Sequence, residues 1–196
     1  MSSVVSISRG ESTRWHLTSR QAVTVTKLAE AALAELREVG FDGLTVRHVA
    51  ARAGVAPATA YTYFSSREHL VTELFWRHLE ALPPTPVDRR RRPAARVAAV
   101  LGDLALVVAD EPELAAACTA AMLSADPDVS LLRDRIGLAI RRRILDALGD
   151  HADPDVLTTL ELAVSGALVR AGTGHLAYDD LPALLDTAAH LILGAP

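Results

Sequence analysis

The chain has 196 residues, half of them apolar and 22% charged, with a formal net charge of −4 at pH 7. That length and apolar content exclude global disorder and allow one large domain, or a small one joined to a medium one. Cys118 is the single cysteine, which excludes an internal disulfide and a thiolate zinc site, and no apolar run is long enough to span a bilayer. Residues 1–26 lack the continuous apolar core of a signal peptide, so a cytoplasmic protein is expected. Aromatics make up only 4% while leucine, alanine and valine dominate, which favours helix packed on helix over a β-sandwich. Residues 1–80 carry a formal +1 and the remainder −5, an asymmetry too mild to decide anything without a motif.

Residues 1–18 show no periodicity and contain Arg9, Arg14, Trp15 and His16 among serine and glycine. A disordered tail and a basic arm reaching into a minor groove both fit; the tail reading is stronger for residues 1–10, while Arg14 to Arg20 fit either. The spacing of Leu28, Ala31, Ala32, Leu36 and Val39 predicts a first helix from about Ser19 to Val39, stopped by Gly40. Thr45 is a good N-cap for a second helix whose buried stripe is Val46, Val49, Ala50 and Ala53, ending at Gly54. After the Val55-Ala56 turn, Pro57 opens a very short third helix to Phe64, with Ala60 and Phe64 facing the core. Ser65 or Ser66 caps a fourth, which carries Leu70, Val71, Leu74 and Phe75 to about Leu82 before Pro83-Pro84-Thr85-Pro86 ends it.

The second, acidic half reads as helices throughout. One spans about Ala94 to Ala109 and a short one about Pro112 to Leu123. Asp126-Pro127 opens a helix to about Leu148, and Asp153-Pro154 opens one from Asp155 to about Thr173. The last runs from Asp179 to Leu193. The Arg89–Arg92 run reads as a solvated linker: a 16-residue fourth helix, rising about 1.5 Å per residue, would hold it roughly 25 Å from any DNA touched by that helix's start. Arg141–Arg143 reads as a solvated face and helix-end complement. No strand and no internal repeat is evident.

The order of these pieces resembles the TetR family of bacterial transcriptional regulators. The resemblance rests on an alanine-rich helix ending at Gly40-Phe41, on Thr45-Val46, and on AARAGVAPATAYTYFSSREHL at residues 50–70. It covers about residues 20–75. Ala53-Gly54-Val55, Thr59, Tyr61, Tyr63-Phe64 and Ser66-Arg67-Glu68-His69-Leu70 match the family pattern. Pro57 and Ala58 depart from the polar and glycine residues common there, Thr62 stands where histidine is frequent, and Arg67 replaces lysine with the charge kept.

The resemblance implies an all-α fold: a flexible arm (1–18), a helix-turn-helix DNA-binding domain (19–66), and a helical regulatory and dimerisation domain (67–196). It further implies that a homodimer sets two recognition helices in the major grooves of a roughly palindromic double-stranded operator. Thr45, Arg47, Pro57, Ala58, Thr59, Tyr61, Thr62, Tyr63 and Arg67 are the expected DNA contacts. Because Pro57-Ala58-Thr59 offers few hydrogen bonds and Tyr61-Thr62-Tyr63 suits phosphates, much of the specificity is expected from dimer spacing, DNA shape and the arm around Arg14 and Arg20.

The last two helices are expected to form the dimer interface through Leu160, Ala163, Val164, Ala167, Leu168, Ala171, Leu181, Leu184, Leu185, Ala188 and Ile192; burial within one subunit is the competing reading. An apolar small-molecule inducer is expected in a cavity lined by Trp76, Leu101, Leu104, Cys118, Met122, Ile136, Ile140 and Glu161. No cofactor, metal site or membrane contact is expected. A helical enzyme is the rival class, yet there is no metal-ligand spacing, phosphate-cradling glycine loop or serine elbow. A helical protein-binding adaptor is the other; its best argument is the negative charge. Most of the resembled family represses, so a repressor is expected.

Overall fold

The computed structural model describes residues 19–194, with side chains from Gln21 to Gly194. Nine α-helices and no strand occur among the described residues. They are α1 (Ser19–Gly43), α2 (Val46–Arg52), α3 (Pro57–Tyr63), α4 (Arg67–Ala81), α5 (Pro93–Ala105), α6 (Pro112–Met122), α7 (Pro127–Leu148), α8 (Pro154–Gly172) and α9 (Leu181–Leu193). Short 3₁₀ turns at Gly149–His151 and Tyr178–Asp180 precede α8 and α9. No helix among the described residues is long and apolar enough to cross a membrane.

Proline and aspartate punctuate the chain as the sequence leads one to expect. Pro57, Pro93, Pro112, Pro127 and Pro154 each open a helix, where the missing N–H would have been unpaired anyway. Asp126 caps α7 by accepting from the Asp128 N–H at 2.8 Å, and Asp153 caps α8 by accepting from Asp155 and Val156. Gly40, at φ 67° and ψ −178°, interrupts α1: the regular helix stops there and only one further turn, to Gly43, follows. Two ends differ from the sequence expectation. The fifth helix stops at Ala105, with residues 106–110 in turns. The ninth starts at Leu181 instead of Asp179, because Pro182 is tolerated only within a helix's first turn and would sit a residue too deep in a helix begun at 179.

Leu28, Ala32, Leu36, Leu44, Val46, Val49, Ala50, Ala60 and Phe64 bury against one another and hold α1, α2 and α3 together. The apolar core continues without a break through Leu70, Val71, Leu74 and Leu79 of α4 into the second half. There α5 packs closely on α9; a Cβ on Gly102 would lie only 3.6 Å from Pro182. α7 and α8 flank α5, while α6 lies against both α4 and α1. Arg37 of α1 forms a two-toothed ion pair with Glu111, the N-cap of α6, tying the first helix to the second half.

Arg96, buried on α5, donates to the carbonyls of Ala147 (2.8 Å) and Leu148 (3.0 Å), satisfying the buried C-terminal end of α7. Arg143, from α7, does the same for α4, donating to Leu79, Leu82 and Pro83 oxygens. The helix-end role expected in the 141–143 run is thus played by Arg143 toward a different helix.

Candidate nucleic-acid interface

The two-helix unit is fixed by local chemistry. Thr45, with extended backbone, accepts the His48 N–H on its hydroxyl at 3.1 Å and so starts α2. The turn is closed by the Val55 N–H to Ala50 O at 2.9 Å, with Gly54 at φ 65° supplying a backbone geometry that favours glycine. The Ala56 carbonyl then accepts from Thr59 and Ala60 to start α3. Arg52 clamps α2 to α1 by donating to Glu35 at 2.8 Å and forking onto Glu38. The Arg52 hydrogen bond holds the Glu38 carboxyl below its usual range.

Burial divides α3 cleanly. Ala60 is sealed and Phe64, its C-cap, is buried with an edge-to-face contact to His69, so the core takes one aromatic from this segment. Pro57, Ala58, Thr59, Tyr61 and Thr62 are exposed, Tyr61 to 52%, and Tyr63 is half-buried against the core. The Thr62 hydroxyl donates to Ala58 O at 3.0 Å, which leaves its oxygen lone pairs outward. The Tyr61 and Thr59 hydroxyls and the Arg47 guanidinium have no partner among the described residues. These three, with exposed Thr45, form the polar surface available to a ligand.

Arg67 is placed differently from its neighbours in the expected set. Its guanidinium lies 4.5 Å from the centroid of Phe41 and donates to Phe41 O (3.1 Å), Asp42 O (3.0 Å) and Glu68 (3.0 Å). It closes the C-terminal turn of α1, work that is intramolecular. Arg37, Arg52 and Arg77 are ion-paired, so Lys27 and Arg47 are the cations of this region with no ion pair among the described residues. The expected arm, with Arg9 and Arg14, and the Arg20 side chain lie outside the described residues.

One junction was not legible in the sequence. The hydroxyls of Ser65 and Ser66, which link α3 to α4, both donate to Asp126, the N-cap of α7. His69 is buried beside them, with Nδ1 at 3.1 Å from the Ser65 oxygen and 3.7 Å from Asp128. Burial pushes the Asp126 carboxyl up, but the Ser66, Asp128 and Ser65 hydrogen bonds and the nearby histidine bring it below its usual range. A serine pair, a buried histidine and an Asp-Pro cap some sixty residues away carry no local sign of meeting.

Residues expected around an inducer are mostly packed. Leu101, Leu104, Cys118 and Ile136 are buried in the continuous core, and Met122 and Ile140 pack half-buried against it. Burial pushes the Cys118 thiol up to about 12, so it stays protonated at neutral pH. Glu161 is half-buried and holds Arg141 at 3.0 Å. Trp76 alone of the eight lines an open groove of about 550 Å³ between α4 and α7.

The helices expected to pair subunits show a similar redistribution. Leu160, Val164, Ala171, Leu181 and Leu185 are buried within the subunit, because the apolar stripe of each helix faces its own core. Ala163, Ala167, Leu168, Ala188 and Ile192 are half-buried. Of the expected set Leu184, 47% exposed, points clear of the core, and it is joined on the outer faces by Leu162 (68%), Val169 (48%) and Leu191 (75%). On α8 the outward Leu162, Gly166 and Val169 follow helical spacing, as do Leu184 and Leu191 on α9.

The model for the tetR family of bacterial regulatory proteins matches residues 28–74, from α1 into α4. An uncharacterized HTH-type transcriptional regulator of Mycobacterium tuberculosis is 49% identical over 183 residues, 89% of this chain and 82% of that protein. The HTH-type transcriptional repressor KstR of Rhodococcus jostii is 26% identical over 178 residues, 86% of this chain and 82% of its own. Among solved structures, a TetR transcriptional regulator from Rhodococcus sp. RHA1 superposes with a TM-score of 0.71 at 25% identity, covering 91% of this chain and 99% of that one. With the two-helix unit, the all-helical second half and a relative of this identity along nearly the whole chain, the protein belongs to the TetR family and is a transcriptional regulator, not an enzyme.

Proposed function

We propose that the protein is a repressor that binds a roughly palindromic operator as a homodimer and is released by a small molecule held in its second half. The observation that carries this reading is the outward face of α3: Thr59 and Tyr61 present unengaged hydroxyls while Ala60 and Phe64 anchor the helix from behind. Tyr61, Thr62 and Arg47 meet phosphates, Thr45 offers its hydroxyl from the start of α2, and Pro57, Ala58 and Thr59 approach base edges. Tyr63 supports the helix from its half-buried position, and Arg67 contributes by holding the end of α1. The exposed Leu162, Val169, Leu184 and Leu191 join two copies through α8 and α9, setting the recognition helices about one duplex turn, roughly 34–36 Å, apart. Residues 19–66 form the DNA-binding unit, residues 67–196 the regulatory one, and residues 1–18 an arm. The protein works in the cytoplasm of a bacterium. Repression is the sense of control because KstR, a relative along most of the chain, is a repressor.

Regulation follows from differential binding: a molecule preferring the conformation with misspaced recognition helices lowers operator affinity by that preference. Selection of bound DNA from a random pool, followed by titration at several salt concentrations, tests the reading. Tyr61→Phe with Thr59→Ala is expected to abolish selective binding, whereas changes in Arg89 to Arg92 leave it intact. A protein with no operator affinity at low salt would refute the proposal and favour a protein-binding adaptor.

A further inference from the structure

The groove between α4 and α7 has a chemistry that its place in the fold does not require. Its walls are Trp76 and Glu80 from α4, with Arg135, Leu138, Arg141, Arg142 and the apolar Ala139 and Leu145 from α7. Arg135 lies over the Trp76 indole, its guanidinium carbon 4.2 Å from the ring centroid, and stands 3.9 Å from Glu80. Arg141 is steadied by Glu161 from α8 at 3.0 Å. Arg142 is exposed and has no partner among the described residues. Leu138, 67% exposed, lies one helical turn before Arg142. Of the three guanidinium groups that line the groove, Arg141 is paired with Glu161 and Arg135 lies near Glu80, which leaves Arg142 as the lining cation with no ion pair among the described residues, beside an apolar floor. A volume of about 550 Å³ is in the range of roughly 300–1,000 Å³ usual for small-molecule sites.

We propose that this groove is the binding site of an amphipathic anion, a carboxylate or phosphate monoester carried on an apolar body. This inference rests on the ligand-responsive reading above and moves the ligand from the filled core around Leu101, Leu104 and Cys118 to the α4–α7 surface. The apolar body covers Leu138 and reaches the indole, and the anionic head draws Arg142 and Arg135 together. Arg135 can add the anion to its present contacts through a charge-assisted hydrogen bond. A cation would be repelled by the lining, and a neutral molecule would gain nothing from Arg142.

Trp15→Phe leaves Trp76 as the sole indole and makes its emission a local readout. This protein is titrated with decanoate, decyl phosphate, decanol and inorganic phosphate, all below micelle-forming concentrations. Decanoate or decyl phosphate is expected to give a saturable change, weakened at least tenfold by Arg142→Ala and by Arg135→Gln; the tighter of the two identifies the head group. Since Arg142 has no partner among the described residues, its variant separates site loss from misfolding, with helical circular dichroism as the check. Equal response to decanol, response to inorganic phosphate alone, indifference to Arg142→Ala, or no saturable change would overturn the site. So would emission that changes with protein concentration alone, which would mean that a second copy covers the groove. Operator affinity of the unaltered chain, measured beside these titrations, keeps the two proposals apart. Intact operator binding without an anion response refutes the site, and anion binding that leaves operator affinity unchanged refutes the ligand-responsive function.

Discussion

Replacing Leu162 and Leu191 with serine separates the outward faces of α8 and α9 from the inward ones. Both leucines lie outside the subunit's own core, at 68% and 75% exposure, so their loss costs the isolated subunit little. In a dimer built on these faces each would become buried. Full burial of a leucine is worth about 1.5–3 kcal/mol, so those exposed fractions correspond to about 1–2 kcal/mol per site and about 4–8 kcal/mol for the four sites of a dimer. At about 1.4 kcal/mol per tenfold, the dimer dissociation constant should rise by roughly 10³–10⁶. Sedimentation velocity across a concentration series reads this directly, and thermal denaturation of dilute protein checks that the monomer stays folded. The inward residues give the opposite pattern. Leu160→Ala or Leu185→Ala opens a cavity in a sealed core and should destabilise the fold by about 2–5 kcal/mol. A double serine variant that remains dimeric with a dissociation constant within tenfold of the parent would refute the assignment of these faces.

Other outcomes follow from the charges around the two-helix unit. Arg47 has no partner among the described residues, so Arg47→Ala should lower the slope of log K against log salt by about 2 for a dimer, two phosphates each counting about 0.9. An unchanged slope would remove Arg47 from the contacts. Arg67→Lys keeps the charge but cannot hold Glu68 through Nε, stack on Phe41 and reach the Phe41 and Asp42 oxygens from Nη1 at once; urea unfolding should show a loss of about 1–2 kcal/mol. Equal stability, with weakened operator binding instead, would assign Arg67 to phosphate. Asp126→Asn should destabilise the protein at neutral pH, because the native carboxyl is held below its usual range. A depressed carboxyl contributes stability above its unfolded value and loses it as pH falls through its folded value. The gap between variant and parent should therefore close below the usual carboxylate range, and a gap that persists at pH 2 would exclude this cause.

Where the sequence and the structure agree, the signal is local. Pro57, Pro127 and Pro154 start helices because a helix's first turn needs no N–H from them, and Thr45 and Ser66 cap because their hydroxyls reach a backbone N–H three residues on. Ala60 and Phe64 reach the core through simple helical spacing. The α8 and α9 faces show the limit of that logic. A stripe of leucine and alanine says that a helix buries one face, but not whether its own subunit or a partner covers it. Leu160 and Leu185 follow the stripe inward, while Leu162 and Leu191 lie off it and are exposed. Arg67, Arg96 and Arg143 were harder still. Each serves carbonyl groups at the end of a helix other than its own, and nothing in the sequence names which end.

Those long-range contacts converge on the join between the two halves. α4 is the element shared by both, and α7 grips it twice. Asp126, at the start of α7, takes the hydroxyls of Ser65 and Ser66 at the start of α4. Arg143, about four and a half turns later on α7, reaches the last carbonyls of α4. The two helices therefore run parallel, with a carboxylate set at the positive end of α4 and a guanidinium at its negative end. Parallel helices whose dipoles point the same way gain little from each other directly, so these two charged grips, with the apolar contact between them, fix the register. The arginine-lined groove lies between the grips, against Trp76 and Glu80. A molecule entering it cannot spread α4 from α7 without loading one grip or the other. The N-terminal grip is the one adjoining α3, because Ser65 follows Phe64 directly. Phe64, buried and in edge-to-face contact with His69, is the aromatic that packs this grip against the helix carrying the exposed hydroxyls of Thr59 and Tyr61.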